Sequence, residues 1–188
     1  MSDSFCLSCL SYGICDHEQE QHFSLFGQKV IQNMSNSRNI YVIANDIRSL
    51  HNVGSIFRSC DAFGISKLFL TGITGIPPRK EISKVSLGSE HRLPWEKSES
   101  AAELIQKLKK EGVAVVALDN QSESVDISSY CWPNNIALLL GNEVDGIDKK
   151  LVELCDGVVE IPMQHSKKSL NVSVALGIAL FALVSKNR

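Results

Sequence analysis

The sequence has few aromatic residues, no long apolar segment and no large excess of charge. Phe, Trp and Tyr make up 6% of the 188 residues, and the net charge at neutral pH is -2. The longest largely apolar stretch, 172–184, is too short to cross a bilayer and is typical of a buried helix. No basic segment precedes an apolar run near the amino terminus, so we expect no secretory signal, no membrane partner and a cytoplasmic location.

Several familiar motifs are also missing from the sequence. It contains neither the glycine pattern of dinucleotide-binding folds nor that of a P-loop, which disfavours standard nucleotide-phosphate binding. It also lacks the metalloprotease motif and the G-x-S-x-G motif of serine hydrolases. An unrelated nucleotide-binding α/β enzyme is therefore a weak interpretation.

The cysteines point to thiols or metal ligands rather than disulfides, because nothing in the sequence indicates secretion. Three of the six cysteines and one histidine near the amino terminus have zinc-ligand chemistry, in the pattern C-x2-C-x5-C-x-H. This spacing is not that of a common zinc finger, so we expect no metal and a packed or disordered tail. The alternative zinc ligands are Cys6, Cys9, Cys15 and His17.

Positive charge is concentrated in the middle of the chain. Between Arg38 and Lys97 there are nine Lys and Arg residues against five Asp and Glu residues. Such a segment is either a patch that faces phosphates or a chance fluctuation in composition.

Apolar periodicity predicts alternating strands and helices after an irregular N-terminal extension, 1–37. The predicted strands are 39–45, 67–71, 113–119, 135–140 and 157–161, and the predicted helices are 51–63, 98–112, 148–155 and 170–185. Residues 72–94 are rich in Gly, Pro, Ser and basic side chains, and we interpret them as a functional loop with some helix. The alternation predicts an α/β domain over 38–188, with a mainly parallel sheet and helices on both faces.

Three polar clusters follow predicted strands, where parallel sheets bind their ligands. In the first, Asn52 is either an N-cap of the helix or a site residue. Arg58 lies on an otherwise apolar helix, where it pairs with a structural carboxylate or an anionic ligand.

The second cluster follows 135–140. Gly141 permits a tight turn or the close approach of a ligand, and Glu143 is either a surface charge or a site residue. In the third cluster, Ser169 is a candidate cap of the last helix. The amide of Asn171 must be satisfied by backbone or by a ligand.

Three segments together resemble the SpoU-type (TrmH-like) branch of the SPOUT RNA methyltransferase superfamily. They are HNVGSIFR at 51–58, LLLGNEVDGI at 138–147, and IPM with SLNVSVALGIAL within 161–180. The resemblance covers about 39–186 and implies a C-terminal trefoil knot, a homodimer and S-adenosylmethionine as cofactor. It also implies methylation of a ribose 2′-hydroxyl in tRNA or rRNA. The alternative is a non-catalytic RNA-binding dimer of the same fold.

The resemblance assigns roles to individual residues. It implies cofactor contacts at Leu118, Gly141, Ile161, Met163 and Leu170. It implies catalytic roles for Asn52, Arg58, Glu143, Ser169 and Asn171. One departure is His165, which stands where the family usually has glycine and which could alter cofactor affinity. Because the last helix is apolar on nearly every face, we expect it to be buried in part by a second copy; the alternative is burial within the core of a single chain.

Overall fold

A computed structural model describes residues 38–121, 123–164 and 169–185. The N-terminal extension, with the alternative zinc ligands, lies outside the described residues, and so does His165. No helix in the described part of the chain combines the length and the hydropathy needed to cross a membrane.

The strands are β1 (Ile40–Asn45), β2 (Lys67–Thr71), β3 (Trp95–Ser98), β4 (Ala114–Leu118), β5 (Val125–Asp126), β6 (Ile136–Leu140) and β7 (Gly157–Glu160). All seven are parallel and form one sheet in the order β3-β2-β1-β6-β4-β7-β5. The two central strands, β1 and β6, are almost fully buried, as continuous apolar runs in parallel sheets require. The predicted parallel α/β sheet is therefore confirmed.

Helices cover both faces of this sheet, as predicted. Successive residues of β1 alternate between two core clusters, with Val42 in one and Ile43 in the other. The Val42 cluster includes apolar side chains of α1 (Leu50–Ala62), α2 (Lys80–Ser86) and α6 (Val172–Ser185). The Ile43 cluster includes those of α4 (Ala101–Lys110) and α5 (Lys149–Val152). The short helix α3 (Ser89–Arg92) follows α2.

Local capping chemistry sets the ends of two helices. Ser100 accepts a hydrogen bond from the backbone N–H of Glu103 and so begins α4. Gly64 and Gly112 follow α1 and α4 with φ of 67° and 77°. In this left-handed region a glycine ends a helix without steric cost, as the sequence predicted.

The sequence did not predict two strands. Trp95–Ser98 forms the edge strand β3, so Ser98 belongs to the sheet and not to the helix that was expected to begin there. Two charged residues stand in the middle of this strand and all four residues are half-buried, a pattern that apolar periodicity does not detect. The two-residue strand β5 is too short for any periodicity.

Candidate functional site

The carboxyl ends of β4, β6 and β7, together with the start of α6, enclose a cavity of about 380 Å³. Every residue that the resemblance assigned to the cofactor lines it. These residues are Leu118, Gly141, Ile161, Met163 and Leu170. Glu143 and Ser169, from the catalytic set, also line this cavity.

The loop that follows β6 forms one wall of the cavity and closes on itself. The backbone groups of Asn142 and Gly146 exchange two hydrogen bonds of 2.9 and 3.0 Å. A Cβ on Gly141 would overlap the carbonyl of Gly146 and lie 2.6 Å from Cγ1 of Ile147. Gly141 is therefore required by the close approach of the loop's own backbone, before any ligand is considered.

The Glu143 carboxylate joins this loop to the start of α1. It accepts hydrogen bonds from the backbone N–H groups of Arg48 (3.0 Å) and Ser49 (3.1 Å). It also accepts one from Nδ2 of Asn52 at 2.8 Å. Partial burial acts to raise the pKa of Glu143, but these hydrogen bonds outweigh it and hold the pKa below its usual value. Glu143 is thus an engaged carboxylate and not an ordinary surface charge.

Asn52 connects all three sequence clusters and is not the N-cap of α1. Ser49 is the cap, and its Oγ accepts the backbone N–H of Asn52. The Asn52 side chain instead donates to Glu143 and accepts a hydrogen bond from Nδ2 of Asn171 at 3.1 Å. The N-cap interpretation of Asn52 was wrong because its side chain finds its partners in distant parts of the chain.

Asn171, and not Ser169, caps α6. Its carbonyl accepts the N–H of Ala175 at 2.9 Å, and its Oδ1 accepts the N–H of Ser173 at 2.9 Å. Its amide nitrogen remains free to donate to Asn52. Ser169 precedes the cap and lines the cavity, so its expected capping role was wrong.

Arg58 is the one residue of the catalytic set that stands apart. Its side chain is exposed and does not line the cavity. Within the described residues it forms no hydrogen bond and no ion pair. It lies six residues after Asn52 on α1, or about 9 Å along the helix axis. Of the two partners expected for it, a structural carboxylate is therefore not found in the described part of the chain.

Five polar cavity residues were missed by the sequence reasoning. Asp119 lines the cavity immediately after β4, and its Oδ2 accepts the backbone N–H of Ile147 at 3.3 Å. Its place as the last residue of the predicted strand 113–119 was a signal that could have found it. The other four are Asn120, Asn142, Asp145 and Glu160.

The fold and the cavity define an α/β domain with a cavity of small-molecule size at the carboxyl ends of its parallel strands. The family model described as "SpoU rRNA Methylase family" matches residues 39–181. The chain therefore belongs to the SpoU rRNA methylase family.

Relatives of known activity span both rRNA and tRNA modification. A 23S rRNA (guanosine-2′-O-)-methyltransferase RlmB of Xanthomonas axonopodis pv. citri is 33% identical over 78% of this chain and 59% of its own length. A tRNA (guanosine(18)-2′-O)-methyltransferase of Aquifex aeolicus is 31% identical over 77% of this chain and 68% of its own length. The chain thus spans about three-fifths of the RlmB relative.

Solved structures show the same architecture. The SpoU methyltransferase AviRb of Streptomyces viridochromogenes, in complex with the cofactor AdoMet, superposes with a TM-score of 0.75 at 28% identity. The match covers 80% of this chain and 61% of AviRb. The Aquifex aeolicus TrmH/SpoU tRNA modifying enzyme gives a TM-score of 0.73 at 27% identity, over 85% of this chain and 83% of that one.

Proposed function

We propose that this protein uses S-adenosylmethionine to methylate a ribose 2′-hydroxyl of tRNA or rRNA. The observation that carries the proposal is the cavity, because all five residues expected at the cofactor line it. Family membership and the activities of the RlmB and Aquifex relatives support the same reaction. The need for a 2′-hydroxyl makes RNA and not DNA the substrate.

The described cavity residues fit this cofactor in size and charge. A volume of about 380 Å³ lies in the range of small-molecule sites. Asp119, Glu143, Asp145 and Glu160 are among the residues that line the cavity, and no described lining residue is Lys or Arg. Such a lining suits a cationic ligand better than a phosphate. S-adenosylmethionine supplies, when bound, a methyl group on a positively charged sulfur.

The proposed roles of the chain's residues follow from their contacts. In the transfer, the ribose oxygen would take the methyl group that S-adenosylmethionine supplies, the sulfur would keep the electron pair of the broken bond, and the hydroxyl proton would pass to solvent water. A guanidinium is already protonated and cannot accept that proton. Arg58 instead binds a phosphate and stabilises the negative charge that develops on the ribose oxygen. Glu143 positions Asn52, and through it Asn171, because its carboxylate is already engaged in three hydrogen bonds. Ser169 holds the nucleotide at the cavity wall.

We also propose that the protein is a homodimer built in part on α6. Three large apolar side chains of α6 are exposed at helical spacing: Val174 (51%), Ile178 (39%) and Phe181 (64%). A second copy of this chain covers them, and RNA contacts come from the dimer face and from the 72–94 loop. Light scattering at micromolar concentration should give a dimer for the wild type and a monomer for Phe181→Glu. A monomeric wild type would contradict the dimer.

Three further features belong to the same proposal. The C-terminal part of the chain is knotted as a trefoil, which its family membership supports. The methyltransferase domain spans 38–188, after an extension at 1–37, and the protein acts in the cytoplasm.

Mapping 2′-O-methylated nucleotides in RNA from cells with and without the gene tests the function. We expect at least one site to lose its methyl group, and purified protein with S-adenosylmethionine to restore it in vitro. If no site changes and the protein does not bind S-adenosylmethionine, the proposed function is wrong. If it binds RNA without binding the cofactor, the non-catalytic alternative with His165 in the cofactor loop is supported instead.

A further inference from the structure

Asp46, which the proposed mechanism does not use, has an unusual backbone conformation at the end of β1. Its φ is 54°, in the left-handed region that non-glycine residues seldom occupy. Among the described residues, the only other non-glycine residue with positive φ is Leu87, with φ of 52°. A residue persists in this conformation only where its surroundings hold it there.

Two hydrogen bonds hold the Asp46 side chain. Oδ1 accepts the backbone N–H of Ile73 at 2.9 Å, in the loop that follows β2. Oδ2 accepts Nδ2 of Asn45 at 2.9 Å. The carboxylate packs so closely on Gly72 that a Cβ on that glycine would overlap it. The left-handed conformation of Asp46 is thus held by its own side chain against the loop after β2, together with a 3.2 Å hydrogen bond from its backbone N–H to the carbonyl of Thr71.

The Asp46 carbonyl reaches the cavity loop. It accepts a 2.9 Å hydrogen bond from Nδ2 of Asn142. The Asn142 Oδ1 in turn accepts the backbone N–H groups of Val144 (2.8 Å) and Asp145 (3.3 Å). Asn142, Val144 and Asp145 all line the cavity. The direction of one carbonyl therefore orients the amide that shapes this wall.

We propose that Asp46 is a positioning residue for cofactor binding. Its side-chain hydrogen bonds maintain the left-handed backbone, and that backbone directs the carbonyl at Asn142 and so sets the shape of the 141–147 loop. The inference rests on the proposed function, since the ligand of this cavity is taken to be S-adenosylmethionine.

Three substitutions at this position separate side-chain bonding from backbone freedom. Asp46→Asn retains the acceptor for Ile73 and tolerates the left-handed region but loses the acceptor for Asn45, so its affinity should fall much less than that of Asp46→Ala. Asp46→Ala loses the side-chain acceptors and tolerates the left-handed region poorly, so its affinity for S-adenosylmethionine should fall by about tenfold or more. Asp46→Gly keeps the backbone freedom without the side chain and should fall between them.

Calorimetric titration of each full-length variant with S-adenosylmethionine measures these affinities, with thermal unfolding measured in parallel. Leu87→Gly is the matched control, because it changes a left-handed residue that does not line the cavity and should leave affinity unchanged. If folded Asp46→Ala binds like the wild type, or if Asp46→Asn weakens binding as much as Asp46→Ala, the inference is wrong. A wild type that does not bind at all contradicts the proposed function instead.

Discussion

The cavity and the exposed face of α1 differ in how completely the chain satisfies its own polar groups. At the cavity, the Glu143 carboxylate accepts three hydrogen bonds. The Asn142 side chain donates to the carbonyl of Asp46 and accepts from the N–H of Val144, and Gly141 packs directly against the backbone of Gly146. On α1, Arg58 is exposed and has no hydrogen-bond or ion-pair partner among the described residues. One part of the site is therefore built by the chain itself, and the other part has a charge that no described residue of the chain pairs with.

This difference separates two steps of the proposed reaction. A preorganised cavity binds its ligand with little loss of conformational entropy, so cofactor affinity is a property of the loops around it. The Arg58 guanidinium is exposed to solvent until an RNA phosphate binds to it. Its contribution to the rate therefore appears only in the reaction with RNA. Substitutions in the two regions should therefore affect different measurements.

Arg58→Ala should have the largest effect, and only on the reaction with RNA. Losing a charged group that stabilises the transition state costs about 3–4 kcal/mol, or about 10²–10³ in rate. Cofactor affinity and thermal stability should stay at wild-type values, because Arg58 does not line the cavity and forms no hydrogen bond or ion pair among the described residues. Single-turnover methylation and calorimetry on the same preparation measure both.

Arg58→Lys is the matched control for charge. It should recover only part of the rate, because a lysine lacks the planar fork that grips a phosphate through two hydrogen bonds. A folded Arg58→Ala protein that methylates RNA near the wild-type rate would remove Arg58 from the mechanism.

Gly141→Ala should act on the cavity. The added methyl group overlaps the Gly146 carbonyl, so the loop must shift, at a cost of about 1–3 kcal/mol in the free energy of unfolding. We expect weaker binding of S-adenosylmethionine, measured by calorimetry. Gly177→Ala is a suitable control, because a Cβ there meets no atom within 4 Å and should leave binding unchanged. Equal affinity in both variants would show that the loop is not preorganised as described.

Part of this account could be predicted from sequence. The main strands are apolar runs, and their order of appearance predicts a parallel sheet with a site at the strand ends. The cofactor residues followed from the family resemblance and not from spacing. Capping was harder, because Ser49 and Asn52, like Ser169 and Asn171, are pairs of good capping residues close together. Which member caps depends on partners such as Glu143, distant in sequence, which no local pattern reveals.

Glu143→Gln should weaken the link between the cavity loop and α1. At neutral pH the variant loses one charged acceptor, which we expect to cost about 1–2 kcal/mol in the free energy of unfolding. The pKa of Glu143 is lowered in the folded protein, so its contribution is present above the unfolded value of about 4.3. That contribution is lost as the pH falls through the lower folded value. Urea unfolding at several pH values should show the difference between variant and wild type narrowing in acid; a constant difference would contradict this.

Asn171→Ala should have a small effect on stability, about 1 kcal/mol for a lost N-cap. Asn171→Asp keeps the acceptor for Ser173 but cannot donate to Asn52, so it should restore much of the stability and little of the activity. Denaturant unfolding together with methylation assays separates the two roles. If Asn171→Asp recovers full activity, the contact with Asn52 has no part in the reaction.

The most direct test of the account is a calorimetric titration of the full-length wild-type protein with S-adenosylmethionine in the absence of RNA. A cavity that the chain builds for itself predicts saturable binding of one cofactor per chain without any nucleic acid present. No detectable binding until RNA is added would contradict the claim that this part of the site is complete on its own.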